Sequence, residues 1–198
     1  MLPYYTDFDF IIQPGWNNSG PDHWQTHWQQ ALDARRVSNH SWDQPQLEDW
    51  LRQLDILVDA STRPVIVIAH SLGCATVAHY DARYPDKLAG ALLVAPADVE
   101  RPFVPAALQS FAPLPRKALS IPVRMIASTN DPFSTVSRTK RMAQIWQAPP
   151  VWLDNAGHIN VASGHTQWQS GFTQLDALLN AVHFLKQQEQ SQALWRIQ

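Results

Sequence analysis

The strongest constraint on this chain is the run Val65-Ile66-Val67-Ile68-Ala69, which passes without a break into His70-Ser71-Leu72-Gly73-Cys74-Ala75. Five consecutive apolar residues, four of them β-branched, suit a strand buried on both faces, and such strands sit inside parallel sheets. Residues 72–84 follow with helical character and are stopped before Pro85. Strand, tight turn and helix therefore occupy barely twenty residues.

The same alternation recurs along the chain. Further strands are expected at 8–12, 91–94, 123–127 and 151–153, with a short one at 35–37. Helices are expected over 22–32, 46–58, 137–146 and 173–187, where apolar residues recur at helical spacing. Strands alternating with helices give an α/β fold, here a doubly wound, mostly parallel six-stranded sheet flanked by helices. The stretch 96–122 breaks the rhythm. Its six prolines (96, 102, 105, 113, 115 and 122) are too many for a crossover helix, so it is expected to run irregularly over one end of the sheet, near the site. The polar segment 188–198 is expected to fray.

Composition decides what the chain is not. At 198 residues, with 45% hydrophobic and 16% charged, it fits one globular domain over 1–198 and excludes disorder. Fifteen Lys+Arg against seventeen Asp+Glu leave a net charge of −2, no surplus for neutralising a phosphate backbone, so no nucleic-acid partner is expected. No apolar run approaches the ~18 residues of a membrane span, and the amino end lacks the pattern of a signal peptide. With a single cysteine, Cys74, the expected setting is cytoplasmic.

Ala69-His70-Ser71-Leu72-Gly73 has the small-x-Ser-x-small pattern of a nucleophile elbow, a turn so tight that its flanks must be small. The serine is left exposed at the carboxyl end of the strand, and the Leu72 N–H points where an oxyanion would form. Ala69 stands where glycine is usual. A serine hydroxyl needs a base, and the base needs an orienting acid, each at the carboxyl end of a later strand. Asp131 follows the strand at 123–127 and His158 the strand at 151–153, so both fall on that edge. Asp131 also reads as a plain turn residue before Pro132, His158 as a loop histidine, and Asp98 competes for the acid role.

Four stretches carry a resemblance. They are Pro14-Gly15-Trp16-Asn17-Asn18-Ser19-Gly20 with His23-Trp24-Gln25; Trp42-Asp43-Gln44-Pro45; His70-Ser71-Leu72-Gly73; and Asn130-Asp131-Pro132-Phe133 with Gly157-His158-Ile159-Asn160. Together they resemble the small bacterial serine hydrolases of the α/β-hydrolase superfamily, in the retinoblastoma-binding-protein-type group. The resemblance implies a minimal hydrolase fold without a separate lid domain, with Ser71 as nucleophile, His158 as base and Asp131 as acid. It places a second oxyanion donor, the Trp16 N–H, in the loop after the first strand. The implied reaction is hydrolysis of an ester, amide or similar acyl bond of a small molecule, with no cofactor. A catalytically silent hydrolase-fold binding module is the alternative, and a lyase or haloperoxidase would share the triad.

Other features are expected to be structural. His23 and His27 lie one helical turn apart but lack the glutamate of a zinc-protease helix, so no metal is expected. His79, His165 and His183 have no partner at ligand spacing, and Cys74 reads as a small core residue. Arg138, Lys140 and Arg141 read as a solvated helix face. Of nine tryptophans, Trp16, Trp42 and Trp152 are expected to wall an acyl pocket narrow enough to favour short acyl chains. The sequence assigns no substrate-binding residue and no protein partner.

Overall fold

Six strands pair side by side, all parallel, in a computed structural model that describes residues 3–195. They are β1 (Asp9–Gln13), β2 (Arg35–Arg36), β3 (Val65–His70), β4 (Gly90–Val94), β5 (Val123–Ser128) and β6 (Pro150–Leu153), in the order β2-β1-β3-β4-β5-β6. All six expected strands are present, and none runs antiparallel. The register places Ile68 between Ile12 of β1 and Leu92 of β4, so β3 is central and fully buried.

The two faces follow from the period of two along a strand. Ile11, Val67, Ala69 and Leu93 face α2 (Leu47–Asp59), α3 (Leu72–Arg83) and α4 (Val136–Trp146), meeting Trp50, Leu54, Val77 and Trp146. Ile12, Ile66, Ile68, Leu92 and Ile126 face α1 (Trp24–Ala31) and α5 (Phe172–Trp195), meeting Trp24, Trp28, Leu175 and Leu179. Each such Val, Leu or Ile side chain taken out of water contributes about 1.5–3 kcal/mol. Among the described residues no separate lid domain stands apart from this sheet and its helices.

The chain order reverses between β1 and β3, because the path leaves β1 outward to β2 and returns to β3. Open parallel sheets hold their ligands at the carboxyl ends of strands at such a reversal. The stretch between β4 and β5 contains no α-helix, only a 3-10 turn at Ala106–Phe111. It is held down by buried Leu108, Phe111 and Leu114, and by the His79 ring N–H donating to the Phe111 carbonyl at 2.9 Å. The last helix exceeds the expected range: α5 continues through the polar segment to Trp195, since Gln, Glu, Ala and Leu are good helix formers. Residues 196–198 of the expected frayed tail lie outside the described residues. Among the described residues no helix is long and apolar enough to cross a membrane.

Candidate active site

The turn after β3 forces its serine into an unusual backbone conformation. Ser71 has φ 56° and ψ −120°, a combination that costs a non-glycine residue about 1–3 kcal/mol and persists only where the surroundings over-determine it. They do so here. The Ser71 N–H donates to the Val94 carbonyl at 3.0 Å, and the Cys74 N–H donates back to the Ser71 carbonyl at 3.0 Å. A methyl group on Gly73 would collide with the Gln13 carbonyl oxygen and lie 2.7 Å from that of Pro14. One on Gly15 would lie 2.8 Å from the Ser71 Cβ. The small residue at 73 is thus required by the strand beside the elbow, and Ala69, fully buried, is small enough for its place. Cys74 is a core residue: its thiol donates to the Val94 carbonyl at 3.4 Å, and burial raises its pKa, so it is no nucleophile.

The loop after β1 is clamped against this elbow. Gln25 is fully buried and spans three segments, accepting from the Ser19 hydroxyl at 2.7 Å while its amide donates to the Ile68 carbonyl at 3.0 Å and the Gln13 carbonyl at 3.3 Å. The Trp16 indole N–H donates to the Asp43 carbonyl at 2.9 Å, and the Asn17 N–H donates to the Trp42 carbonyl at 2.9 Å. Among the described residues, neither the Leu72 nor the Trp16 backbone N–H donates to a protein acceptor. Both belong to residues of the cavity wall.

His158 and Asp131 meet across the ends of β5 and β6. The His158 Nδ1–H donates to both carboxylate oxygens of Asp131 at 2.9 Å, with both side chains nearly buried. That bond leaves Nε2 as the imidazole's available acceptor. Asn130 joins the two loops, since its side-chain oxygen accepts from the Gly157 N–H at 2.7 Å and the Ser128 hydroxyl at 2.8 Å. Gly157 sits at φ 57°, where any side chain would also strike Ser163. Behind the ring, His70 Nε2–H donates to the His158 carbonyl at 2.9 Å, and the Trp24 indole N–H donates to that of Ile159 at 2.9 Å.

Ser71, Leu72, Trp16 and His158 line one cavity of about 250 Å3. His23 and His70 line it too, with ring centroids 4.9 Å apart. Burial pushes the His23 pKa down to about 4, helped by Arg36 and His158, and lowers that of fully buried His70 as well. Both are therefore neutral imidazoles at pH 7. His23 caps α1 through Nδ1, which accepts the Gln25 N–H at 3.2 Å, rather than forming a metal face with His27. Among the described residues no group of three His, Cys, Asp or Glu side chains is placed to hold a metal ion.

One alternative falls away and two expectations need correction. The Asp98 carboxylate is fully buried and taken by Arg138, at 2.6 and 2.8 Å, so it does not reach for His158. Arg138 is accordingly paired and only partly exposed, whereas Lys140 and Arg141 are exposed as expected. Of the three tryptophans only Trp16 lines the cavity: Trp42 packs on Trp50, and Trp152 lines a separate surface groove with Lys140 and Gln144 of α4. Phe133 and Leu108 supply the remaining apolar wall. Gln25, Asn130 and His70 were missed as supports because each acts through backbone groups distant in sequence, which no local pattern announces.

The family model described as serine hydrolase matches residues 10–177. The chain belongs to the serine hydrolase family. A Pectobacterium atrosepticum protein assigned as a YdeN-like hydrolase superposes on it with a TM-score of 0.80 and 29% identity, over 89% of this chain and 93% of that one. The ydeN gene product of Bacillus subtilis gives 0.70 and 23% over 88% and 99%. A thermophilic esterase from Thermogutta terrifontis gives 0.62 and 16% over 89% and 90%, a likeness of fold. No curated protein matches the sequence. The serine hydrolase is thus an enzyme of hydrolytic function on an α/β-hydrolase fold.

Proposed function

We propose that this serine hydrolase cleaves an ester or related acyl bond of a small substrate through a Ser71-His158-Asp131 triad. One observation carries the reading: a serine held at φ 56° shares a small cavity with a histidine whose Nδ1 is tied to a buried carboxylate. In the first step the Ser71 Oγ attacks the substrate carbonyl carbon while His158 Nε2 takes the hydroxyl proton. The carbonyl electron pair moves to oxygen, where the N–H groups of Leu72 and Trp16 stabilise it beside the positive end of α3. Collapse expels the leaving group, which receives the proton from His158. Water, deprotonated by the same imidazole, then attacks the acyl-enzyme carbonyl, and collapse breaks its bond to Ser71 Oγ, which takes the proton back from His158 as the acid departs. Asp131 keeps the proton on Nδ1 throughout.

The finer kinship with the retinoblastoma-binding-protein-type hydrolases rests on the four sequence stretches. The free, buried Cys74 supports the cytoplasmic setting. Labelling by a fluorophosphonate probe tests the triad. The chain should take the label, and Ser71→Ala should lose both label and turnover of a p-nitrophenyl ester with its circular dichroism unchanged. Absence of label on the native chain would instead indicate the silent binding module. A Ser71→Ala variant retaining more than a tenth of the activity would remove Ser71 from its role.

A further inference from the structure

We infer that the substrate of this site is a small ester carrying a carboxylate, which Arg101 holds at the cavity wall; the inference rests on the triad reading above. Among the described residues the cavity wall has no Asp or Glu, and Arg101 is its one permanently charged side chain. The local charge balance leaves that guanidinium unmatched. Two carboxylates stand in the same stretch, Asp98 and Glu100, and three arginines surround them. Asp98 is taken by Arg138, and Glu100 by Arg116 at 2.8 Å and Arg138 at 3.2 Å. Arg101 has no carboxylate partner among the described residues. One N–H donates to the Asp98 main-chain carbonyl at 3.3 Å, and the guanidinium lies 5.4 Å from the centre of the Phe133 ring. A half-buried guanidinium with only these partners keeps several donors for a planar, doubly accepting anion. Phe133 in turn packs edge-on to His158 at 4.5 Å, so the cation is tied to the reacting centre by one ring.

A second, independent observation has the same sign. The His23 ring is almost fully buried and neutral, and its Nδ1 is spent on capping α1. The proton of the neutral ring therefore sits on Nε2, which has no protein acceptor among the described residues while the side chain lines the cavity. The polar groups offered to a ligand thus include a guanidinium, an imidazole N–H and the unpaired N–H groups of Leu72 and Trp16, and no carboxylate. Such a wall attracts anions and disfavours cations. Its size, about 250 Å3, admits a short chain with one charged end.

Two pairs of esters test this by proton release at constant pH: monomethyl glutarate against methyl pentanoate, and butyryl glycolate against ethyl butyrate. The first pair carries the carboxylate on the acyl side, the second on the alcohol side. In at least one pair the native enzyme should favour the anion by roughly tenfold in kcat/KM, less so as salt rises. Arg101→Gln should erase that ratio, Arg101→Lys should keep part of it, and Arg101→Glu should invert it. Both esters of a pair are read on the same preparation, so any loss of folded enzyme cancels. A native enzyme that labels with the fluorophosphonate yet shows no anion preference, or a preference that survives Arg101→Gln, overturns the substrate class alone. An enzyme that takes no label overturns the triad reading instead.

Discussion

The residue immediately before the elbow serine holds the loop of the proposed base: His70 Nε2–H donates to the His158 carbonyl oxygen at 2.9 Å. The end of strand β3 therefore leads straight into the proposed nucleophile, and its last residue anchors the loop of the proposed proton acceptor. His70→Phe keeps an apolar ring but loses the donor, and should lower kcat by roughly tenfold, since small misplacements of a base are costly. His70→Gln retains an N–H and should recover part of the loss. Equal kcat for the Phe variant and the native enzyme, at matched melting temperature, would remove His70 from any positioning role.

Asp131→Asn and Asp98→Asn should separate chemistry from stability. The first should lower kcat by roughly 10⁴ through the wrong imidazole tautomer, the size seen for the corresponding change in a chymotrypsin-like triad. The second breaks the buried pair with half-exposed Arg138 and should cost about 2 kcal/mol of unfolding free energy while sparing kcat per folded molecule. Active-site titration alongside urea unfolding distinguishes them. A larger kcat loss for Asp98→Asn reverses the assignment.

Gly73→Ala tests the contact between elbow and loop. Glycine to alanine inside a helix normally stabilises, by up to about 1 kcal/mol. Here the added methyl meets the carbonyl oxygens of Gln13 and Pro14, which cannot move without shifting the Trp16 loop. Thermal unfolding should show a net loss of about 1–3 kcal/mol, accompanied by a fall in kcat. A stabilised, fully active variant would contradict the crowding described.

Stability should decline as pH falls through the weakly acidic range. The His23 pKa stands at about 4 in the fold against an ordinary 6.5, so below 6.5 the unfolded chain gains a proton that the folded chain refuses until about 4. The loss is spread over that window, levels off below it, and amounts to on the order of 3 kcal/mol for His23, with buried His70 acting in the same direction. Urea midpoints at several pH values between 7 and 4 measure it. His23→Asn preserves the helix cap and should flatten the slope. A native midpoint that does not move across this window would refute the account.

The size of the cavity sets a limit on neutral acyl chains. With Trp16, Leu108 and Phe133 as walls and about 250 Å3 of space, kcat/KM should climb with chain length to about six carbons and then fall. Each accepted methylene adds about 0.8 kcal/mol of favourable transfer until the wall is met. A p-nitrophenyl ester series gives the profile; a steady rise to twelve carbons is the contrary result.

What the sequence disclosed and what it hid divide along physical lines. β3 and its elbow were legible because a continuous β-branched run has one favourable environment, and Asp131 and His158 because each follows a readable strand. The pairing of Arg138 is not legible because its partner Asp98 lies forty residues upstream, beyond any helical period. Trp152 was misplaced because the face of a strand residue is fixed by register against its neighbour, here Ala127, and that register is not written locally. The end of α5 was set too early because a polar helix lacks the apolar stripe that announces one. Arg101 carried no signal at all within a segment that has no period.

The close approach of Gly73 to the carbonyl oxygens of Gln13 and Pro14 sets the elbow directly against the loop that carries Trp16, so the two proposed oxyanion donors sit on abutting backbone. Ala97, Arg101 and Leu108 come instead from the connection between β4 and β5, which adds no strand to the sheet. An evolving lineage can therefore rewrite the outer part of that connection without touching the sheet, provided Ala97, whose N–H donates to the Ser71 carbonyl at 3.4 Å, and the Asp98–Arg138 pair are kept. Grafting 101–122 between relatives, with 96–100 left in place, becomes a direct way to trade one selectivity for another.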